Sequence, residues 1–177
     1  MTPDDPILAL AKTKEGKDPY LLLAAYEIVC HAGERLQAAQ VKEMPESVEI
    51  VGITRDWLRE ARGEKTLARL ASLDGRGLEE DEVSESAWSH YLACTHLVSM
   101  LHEHLEEKEG LAHRLAWAAE HARRAAAYAS GGMLESEAFR AVQQQEADWQ
   151  YARLETLCSL FASKDSGVRL RNSLLSI

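Results

Sequence analysis

The sequence predicts an all-α fold, a single-domain bundle of about five long antiparallel helices with short helical pieces at its ends. All four prolines lie at or before position 45, so no proline ring interrupts a helix in the remaining chain. β-Branched residues are sparse and do not alternate with polar residues, so strand signals are nearly absent. Long segments instead repeat apolar residues at helical spacing, and packing of those faces should supply most of the stability.

The composition is typical of one globular domain over residues 1–177, with 46% hydrophobic and 28% charged residues. Residues 1–17 are expected to form an N-terminal extension and residues 164–177 a C-terminal tail that could fold as a short docked helix. The net charge of −9 disfavours nucleic-acid binding, which needs clustered Lys and Arg, and permits a basic protein partner.

The cysteines and the chain start bear on the cellular compartment. Cys30, Cys94 and Cys158 are odd in number and widely spaced, so they do not indicate a secreted disulfide framework. The opening MTPDDPILAL lacks the basic and apolar regions of a signal peptide. No apolar run approaches the roughly 18 residues of a membrane span. We therefore expect a cytoplasmic protein without membrane association.

The first two long helices are expected on either side of a short link. Asp18 is a good N-cap and Pro19 fits the first helical position, so a helix should run from there to Gln40. After VKEMPE, a second helix should start near Ser47 and reach Gly63 or beyond, because the apolar period continues there. The segment DGRGLEEDEV at 74–83 is the strongest loop signal in the chain.

Three more helices are expected after that loop. Ser84 can cap a third helix, and Gly110 separates it from a fourth, LAHRLAWAAEHARRAAAYAS. Because the fourth helix is alanine-rich, the backbone of a neighbour can approach it closely. GGM at 131–133 is a firm break, and the last long helix should span residues 134–163.

The sequence offers one set of possible metal donors. A ferritin-like di-iron site needs Glu-x-x-His pairs, and the sequence has none. The best donor set is Glu27, His31 and Glu34, spaced i, i+4 and i+7 on one helical face. Solvated ion pairs within the helix explain the same spacing more simply, so we expect no metal and no cofactor.

Catalytic motifs are also lacking. The sequence has no P-loop, no G-x-S-x-G, no H-E-x-x-H and no Cys-x-x-Cys. His90 and Cys94 lie one turn apart, but no third orienting group is evident, so we expect Cys94 to be a buried structural residue. His96 and His113 sit among apolar residues and are expected to be partly buried. We therefore expect a protein that is not an enzyme.

The segment EADWQYARLETL at 146–157 is expected to form a seam between the last helix and its neighbour. Trp149 and Arg153 lie one turn apart, so the guanidinium can cover a face of the indole. Trp149, Gln150 and Arg153 should fix how this helix meets the next one. The carboxylates of the region point in different directions and do not form an acid–base pair; they are Glu146, Asp148 and Glu155.

The sequence also resembles a known family. HARRAAAYASGG followed by EADWQYARLETLCSLF is similar to the end of alanine-rich bacterial immunity proteins of the Imm-5-like type. Further upstream, TRDWLREARGEKTLARLAS is similar to the Trp-Leu-x-Gly-Glu helix end of the same family. The matching positions are His121, Tyr128, Glu146, Trp149, Gln150, Arg153 and Leu154, with Trp57, Leu58, Gly63 and Glu64. The resemblance implies a helical protein that neutralises a toxin, and it implies no catalytic residues.

The leading hypothesis is a non-enzymatic protein-binding module, of the immunity type, whose acidic balance suits a basic toxin. Its expected contact residues are Glu79, Glu80, Asp81 and Glu82, although a solvated loop is the simpler explanation of these carboxylates. A second hypothesis is a helical adaptor or self-assembling scaffold that docks through the apolar tail at 168–177. A third is a metal-binding bundle that uses the face of Glu27, His31 and Glu34.

The acidic-loop hypothesis is tested by neutralising all four carboxylates together as Glu79→Gln, Glu80→Gln, Asp81→Asn and Glu82→Gln. Because complementary charge speeds encounter, association with the cognate toxin domain should slow steeply at low salt. Stopped-flow mixing over a salt series measures this rate. An unchanged association rate would reject the loop as a contact surface.

Overall fold

The computed structural model describes residues 5–13, 18–60, 66, 68–69, 83–105 and 110–160. Regular structure within these ranges is helical throughout, which confirms the predicted all-α bundle. The helices with resolved bounds are α1 Pro6–Lys12, α2 Asp18–Ala38, α3 Pro45–Glu60, α4 Glu85–Leu105, α5 Leu111–Ala129 and α6 Glu137–Leu160. Thr66 and residues 68–69 also have helical backbone.

Helix α5 lies at the centre of the bundle and packs against α1, α2, α4 and α6. Its inner face is mostly alanine, so neighbouring backbones can approach closely, as the composition predicted. The buried alanines of α5 are Ala112, Ala116, Ala118, Ala119, Ala122, Ala125, Ala126 and Ala127.

Helix α2 is the second main core element. Residues 21–26 are all at most 3% exposed, and a helix that is apolar on every side belongs in the interior of a bundle. It packs against α3, α4, α5 and α6. The core also takes large apolar side chains from α4 and α6, namely Leu97, Met100, Leu101, Leu154 and Leu157.

The expected N-terminal extension is structured in its described part. Residues 6–12 form α1, which places Ile7, Leu8 and Ala11 in the main core. Asp5 is the N-cap, and its Oδ1 accepts hydrogen bonds from the backbone N–H groups of Ile7, at 2.8 Å, and Leu8, at 3.4 Å. The local signal was present, since an Asp-Pro pair followed by apolar residues is a typical helix start.

Helix boundaries differ from the predictions by a few residues. Helix α2 ends at Ala38 and α3 begins at Pro45, two residues earlier than predicted in each case. Ser84 caps α4 as predicted, because its hydroxyl accepts from the Ala87 N–H at 3.3 Å. Helix α6 begins at Glu137 rather than at residue 134, so the turn before it is longer than expected.

Some predicted features lie outside the described residues. These are the acidic positions 79–82, the tail at 164–177 and Gly63. Among the helices that are described, none is long and apolar enough to cross a membrane.

Replacing Asp5 tests whether α1 is integral to the bundle. Besides capping α1, Asp5 accepts a hydrogen bond from the buried Arg123 of α5 through Oδ2, at 3.1 Å. Asp5→Ala should lower the free energy of unfolding by about 2–4 kcal/mol, because it removes a cap and a buried ion-pair partner. Asp5→Asn should cost less, since asparagine is also a good N-cap. Urea denaturation measures both.

The matched control is Asp148→Ala, which removes an exposed aspartate of α6 and should change stability by no more than about 0.5 kcal/mol. If Asp5→Ala costs no more than this control, α1 does not contribute to the stability of the bundle.

Candidate functional site

An open cleft of about 380 Å³ lies between α2 and α6. It brings together the three candidate metal donors of α2 and two of the three seam residues of α6, which the sequence had treated as separate features. The residues that line it are Tyr26, Glu27, Cys30, His31, Glu34, Trp149 and Arg153.

The first link across this cleft is an ion pair between Arg153 and Glu27. The guanidinium donates from Nε to one carboxylate oxygen and from Nη2 to the other, the latter at 2.7 Å. This two-point geometry is the strongest that an arginine and a carboxylate can form. The hydrogen bond to Glu27 raises the pKa of Arg153 further above its usual value, so the guanidinium stays charged.

The second link is a ring stack between His31 and Trp149. The ring centroids are 3.8 Å apart, and the planes are inclined by 15°. The sequence suggested Arg153 over the indole, but Arg153 binds Glu27, and His31 stacks on Trp149 instead. His31 therefore contributes to packing between α2 and α6.

Glu146 forms the third link between α2 and α6. It is 2% exposed, and its carboxylate lies 3.1 Å from His31 Nε2 and accepts from Arg35 Nε at 2.9 Å. Burial favours the protonated acid, but His31 and Arg35 together outweigh it and lower the pKa of Glu146. A buried carboxylate with two basic partners is a strong inter-helix anchor.

Gln150 ties the other side of α6 to α5. Its Oε1 accepts from Arg123 Nη1 at 3.3 Å, and its Nε2 donates to the Ala119 carbonyl at 3.2 Å. Trp149, Gln150 and Arg153 therefore all reach a neighbouring helix. Sequence reasoning missed Glu146 as an anchor, although its spacing from Trp149 and Arg153 places all three on one face of α6.

The candidate metal donors face the same cleft but are engaged by other side chains. Arg153 holds Glu27, and His31 lies between Glu146 and Glu34, the latter at 3.8 Å from Nδ1. In the part of the chain that the structure describes, no three His, Cys, Asp or Glu side chains are arranged to hold a metal ion.

Two cysteines lie near histidines or carboxylates, but their thiols are not activated. Burial raises the pKa of Cys30 to about 11 and raises the pKa of Cys94 as well. Both thiols are therefore protonated at neutral pH, whereas a nucleophile needs the thiolate. Cys94 is fully buried, as the sequence predicted.

A third group, which the sequence did not reveal, accompanies His90 and Cys94. Glu43 Oε2 lies 3.5 Å from His90 Nδ1, while His90 Nε2 lies 3.1 Å from the Val29 carbonyl and 3.9 Å from Cys94 Sγ. Gly33 permits this packing, because a Cβ there would lie 3.1 Å from Glu43 Oε2. His90 is 1% exposed, so the cluster joins α2, the following link and α4 inside the bundle.

The outward side of α5 carries a group of aromatic rings. His96 of α4 with Trp117 and His121 of α5 form a triangle of nearly parallel rings, with centroids 5.4–6.2 Å apart. Trp117 is 39% exposed. Burial lowers the pKa of His96 to about 4 and also lowers the pKa of His121, helped by nearby positive charges. Both imidazoles are thus neutral at pH 7.

Two arginines flank these rings. Arg114 donates to Glu103 at 3.0 Å, and Arg124 donates to Glu120 at 3.0 Å. His113 was expected to be partly buried, and this was wrong, because it lies exposed on the outward side of α5. Its apolar neighbours along the chain face inward, whereas position 113 falls on the opposite side of the helix.

Comparison with protein-family models, with curated proteins and with solved structures finds no match to this chain. The resemblance to immunity proteins therefore stays a prediction. Its matching positions on α6 include Glu146, Trp149, Gln150 and Arg153, which here hold α6 to α2 and α5.

Replacing Glu146 tests the importance of the α2–α6 links. Glu146→Gln should lower the free energy of unfolding at pH 7 by about 1–3 kcal/mol, because it removes a buried carboxylate with two basic partners. Because the pKa of Glu146 is lowered in the folded state, the ionised carboxylate stabilises the folded state at pH values above its usual pKa of 4.5. This stabilisation is lost as the pH falls through the lowered pKa of the folded state.

The difference between wild type and Glu146→Gln should therefore shrink as the pH falls below 4.5. Urea titrations from pH 7 to pH 3 measure it, with Glu155→Gln on the exposed side of α6 as control. A difference independent of pH would show that the ionised carboxylate is not what stabilises this contact.

Proposed function

We propose that this protein is a non-enzymatic protein-binding module that recognises its partner through the outward side of α5. The observation that carries the proposal is the composition of this surface, which we call the α5 face and define as His96, His113, Arg114, Trp117, His121 and Arg124. All six side chains are at least partly exposed.

The α5 face has the composition of a binding surface rather than of an ordinary solvated helix. Helix α5 contains no lysine and a single glutamate, although solvated helix faces are usually rich in both. Interface centres are enriched in tryptophan and arginine and depleted in lysine and glutamate. An exposed tryptophan beside two half-buried neutral histidines fits a contact that loses its water on binding.

The surrounding chemistry supports binding over catalysis. The polar groups of the α2–α6 cleft form contacts with one another, and the thiol of Cys30 within it is protonated at neutral pH. Cys94 and His90 are enclosed in the bundle. These groups are therefore assigned to holding helices together.

The partner that we propose is a toxin domain, which this protein would neutralise by occlusion in the manner of immunity proteins. The net charge of −9 favours encounter with a basic partner, and the carboxylates at 79–82 would contribute to that attraction. Long-range charge acts mainly on the association rate. Desolvated aromatic contacts, such as that proposed for Trp117, act mainly on the dissociation rate.

Trp117→Ala is the direct test of the α5 face. The variant should dissociate from the cognate toxin domain at least about 30-fold faster than wild type, since central tryptophans typically contribute 2 kcal/mol or more. Its association rate should change little. Surface plasmon resonance, with a toxin domain encoded beside this gene, measures both rates, and survival of cells that express the toxin reports neutralisation.

Val48→Ser is the matched control, because Val48 is a 56% exposed apolar residue of α3 that lies outside the α5 face. It should leave both rates and cell survival unchanged. If Trp117→Ala protects cells and dissociates like wild type, the α5 face is not the binding surface.

A further inference from the structure

A second cleft of about 450 Å³ lies between the C-terminal half of α5 and the start of α6, separate from the α2–α6 cleft. Its walls combine apolar and cationic side chains with the carboxylates of Glu120 and Glu135. Leu134 and Phe139 supply the apolar part, and Arg124, Arg140 and Gln143 supply N–H donors. We propose that this cleft binds a small monocarboxylic acid with an apolar tail, its carboxylate on Arg140 and Arg124 and its tail between Leu134 and Phe139.

The turn that forms the cleft is fixed by several independent constraints. Gly131 has φ +76°, a conformation that strongly favours glycine. A Cβ at Gly132 would lie 2.9 Å from the Ala127 carbonyl and 3.1 Å from Phe139. Glu135 has φ +63°, which is unusual for a residue with a side chain. Such backbone conformations persist where the surrounding structure holds them, and they are common at ligand sites.

The apolar wall is partly in water. Phe139 is buried, and its ring packs edge-on against Tyr128 with centroids 4.9 Å apart. Leu134 is 62% exposed at the rim. A leucine held in water beside a buried aromatic ring offers apolar surface to a ligand tail.

The cationic wall is oriented in advance. Arg140 donates to the Glu135 carbonyl from Nε at 3.0 Å and from Nη2 at 2.6 Å, which uses two of its five N–H groups. A carbonyl oxygen orients the guanidinium without neutralising its charge. Arg124 donates from Nε to one carboxylate oxygen of Glu120. The other oxygen of Glu120 accepts from Arg123, so this carboxylate orients both arginines.

The size and chemistry of the cleft suit a small ligand. Its volume falls within the range of about 300–1,000 Å³ that is usual for small-molecule sites. A guanidinium pairs with a carboxylate more strongly than with a neutral amide. The site should therefore distinguish an acid from its amide, and the Glu135 carboxylate, which also lines the cleft, should oppose binding.

The test compares 3-phenylpropanoate with 3-phenylpropanamide by isothermal titration calorimetry on the full chain. The acid should bind at least about tenfold more tightly than the amide, because only the acid forms a charge-assisted pair with Arg140. Arg140→Gln should weaken binding of the acid about tenfold, Arg140→Lys should weaken it less, and Glu135→Gln should strengthen it by roughly two- to fivefold.

Arg55→Gln, at an exposed arginine of α3, is the matched control and should leave affinity unchanged. Circular dichroism confirms that each variant is folded, and Leu134→Ser, on the exposed rim, separately tests the apolar wall. The proposal would be overturned by equal affinity for acid and amide or by unchanged binding of the acid to Arg140→Gln. It would also be overturned if the acid did not bind at a ligand concentration of about 10 mM, which is well above typical ligand affinities. Arg124 belongs to both the α5 face and this cleft, but Trp117 does not line the cleft, so failure here leaves the proposed function of the α5 face intact.

Discussion

The bundle depends on one buried cation, the guanidinium of Arg123 in the middle of α5. Its side chain is only 8% exposed, and an unpaired charge at such a position would strongly destabilise the fold. Asp5, Glu120 and Gln150 all accept hydrogen bonds from it. Because these partners belong to the cap of α1, to α5 and to α6, one side chain sets the relative positions of three elements.

Helix α6 is held on two sides by different chemistry. Gln150 joins it to the alanine-rich backbone of α5, where short side chains let an amide reach the Ala119 carbonyl. On the other side, Glu146 and Arg153 meet basic and acidic partners of α2, and Trp149 stacks on His31 between them. These contacts need matched charges at matched positions along two helices, so they favour one register of α6 against α2.

Features encoded by local sequence were predictable, and features encoded by pairing between distant residues were not. Proline placement, Ser84 and the glycines at 110 and 131–132 indicated the helices and their breaks, because capping and backbone freedom act over a few residues. Contacts such as His31 with Trp149 and Glu43 with His90 join positions that are far apart in sequence. A single sequence shows that these residues exist but not which of them meet.

The same limit applies to the candidate sites. The spacing of Glu27, His31 and Glu34 correctly placed them on one side of α2. It carried no information about Arg153, which forms an ion pair with Glu27. The alanine periodicity of α5 indicated its inner face, and the outward side follows from it by the geometry of the helix. The exposure of Trp117 was not predicted, since a lone tryptophan in an apolar segment is normally assigned to the core.

The buried network and the proposed surfaces are physically connected through α5. Arg123 fixes the inner side of this helix, and its neighbour Arg124 emerges on the outer side, with Glu120 binding both guanidinium groups. The residues that would contact a partner or a ligand therefore lie on a helix whose position is already set by the core. A rigid surface loses little conformational entropy on binding, so more of the contact energy appears as affinity. The central position of α5 thus stabilises the fold and also keeps its outward side chains in a defined arrangement.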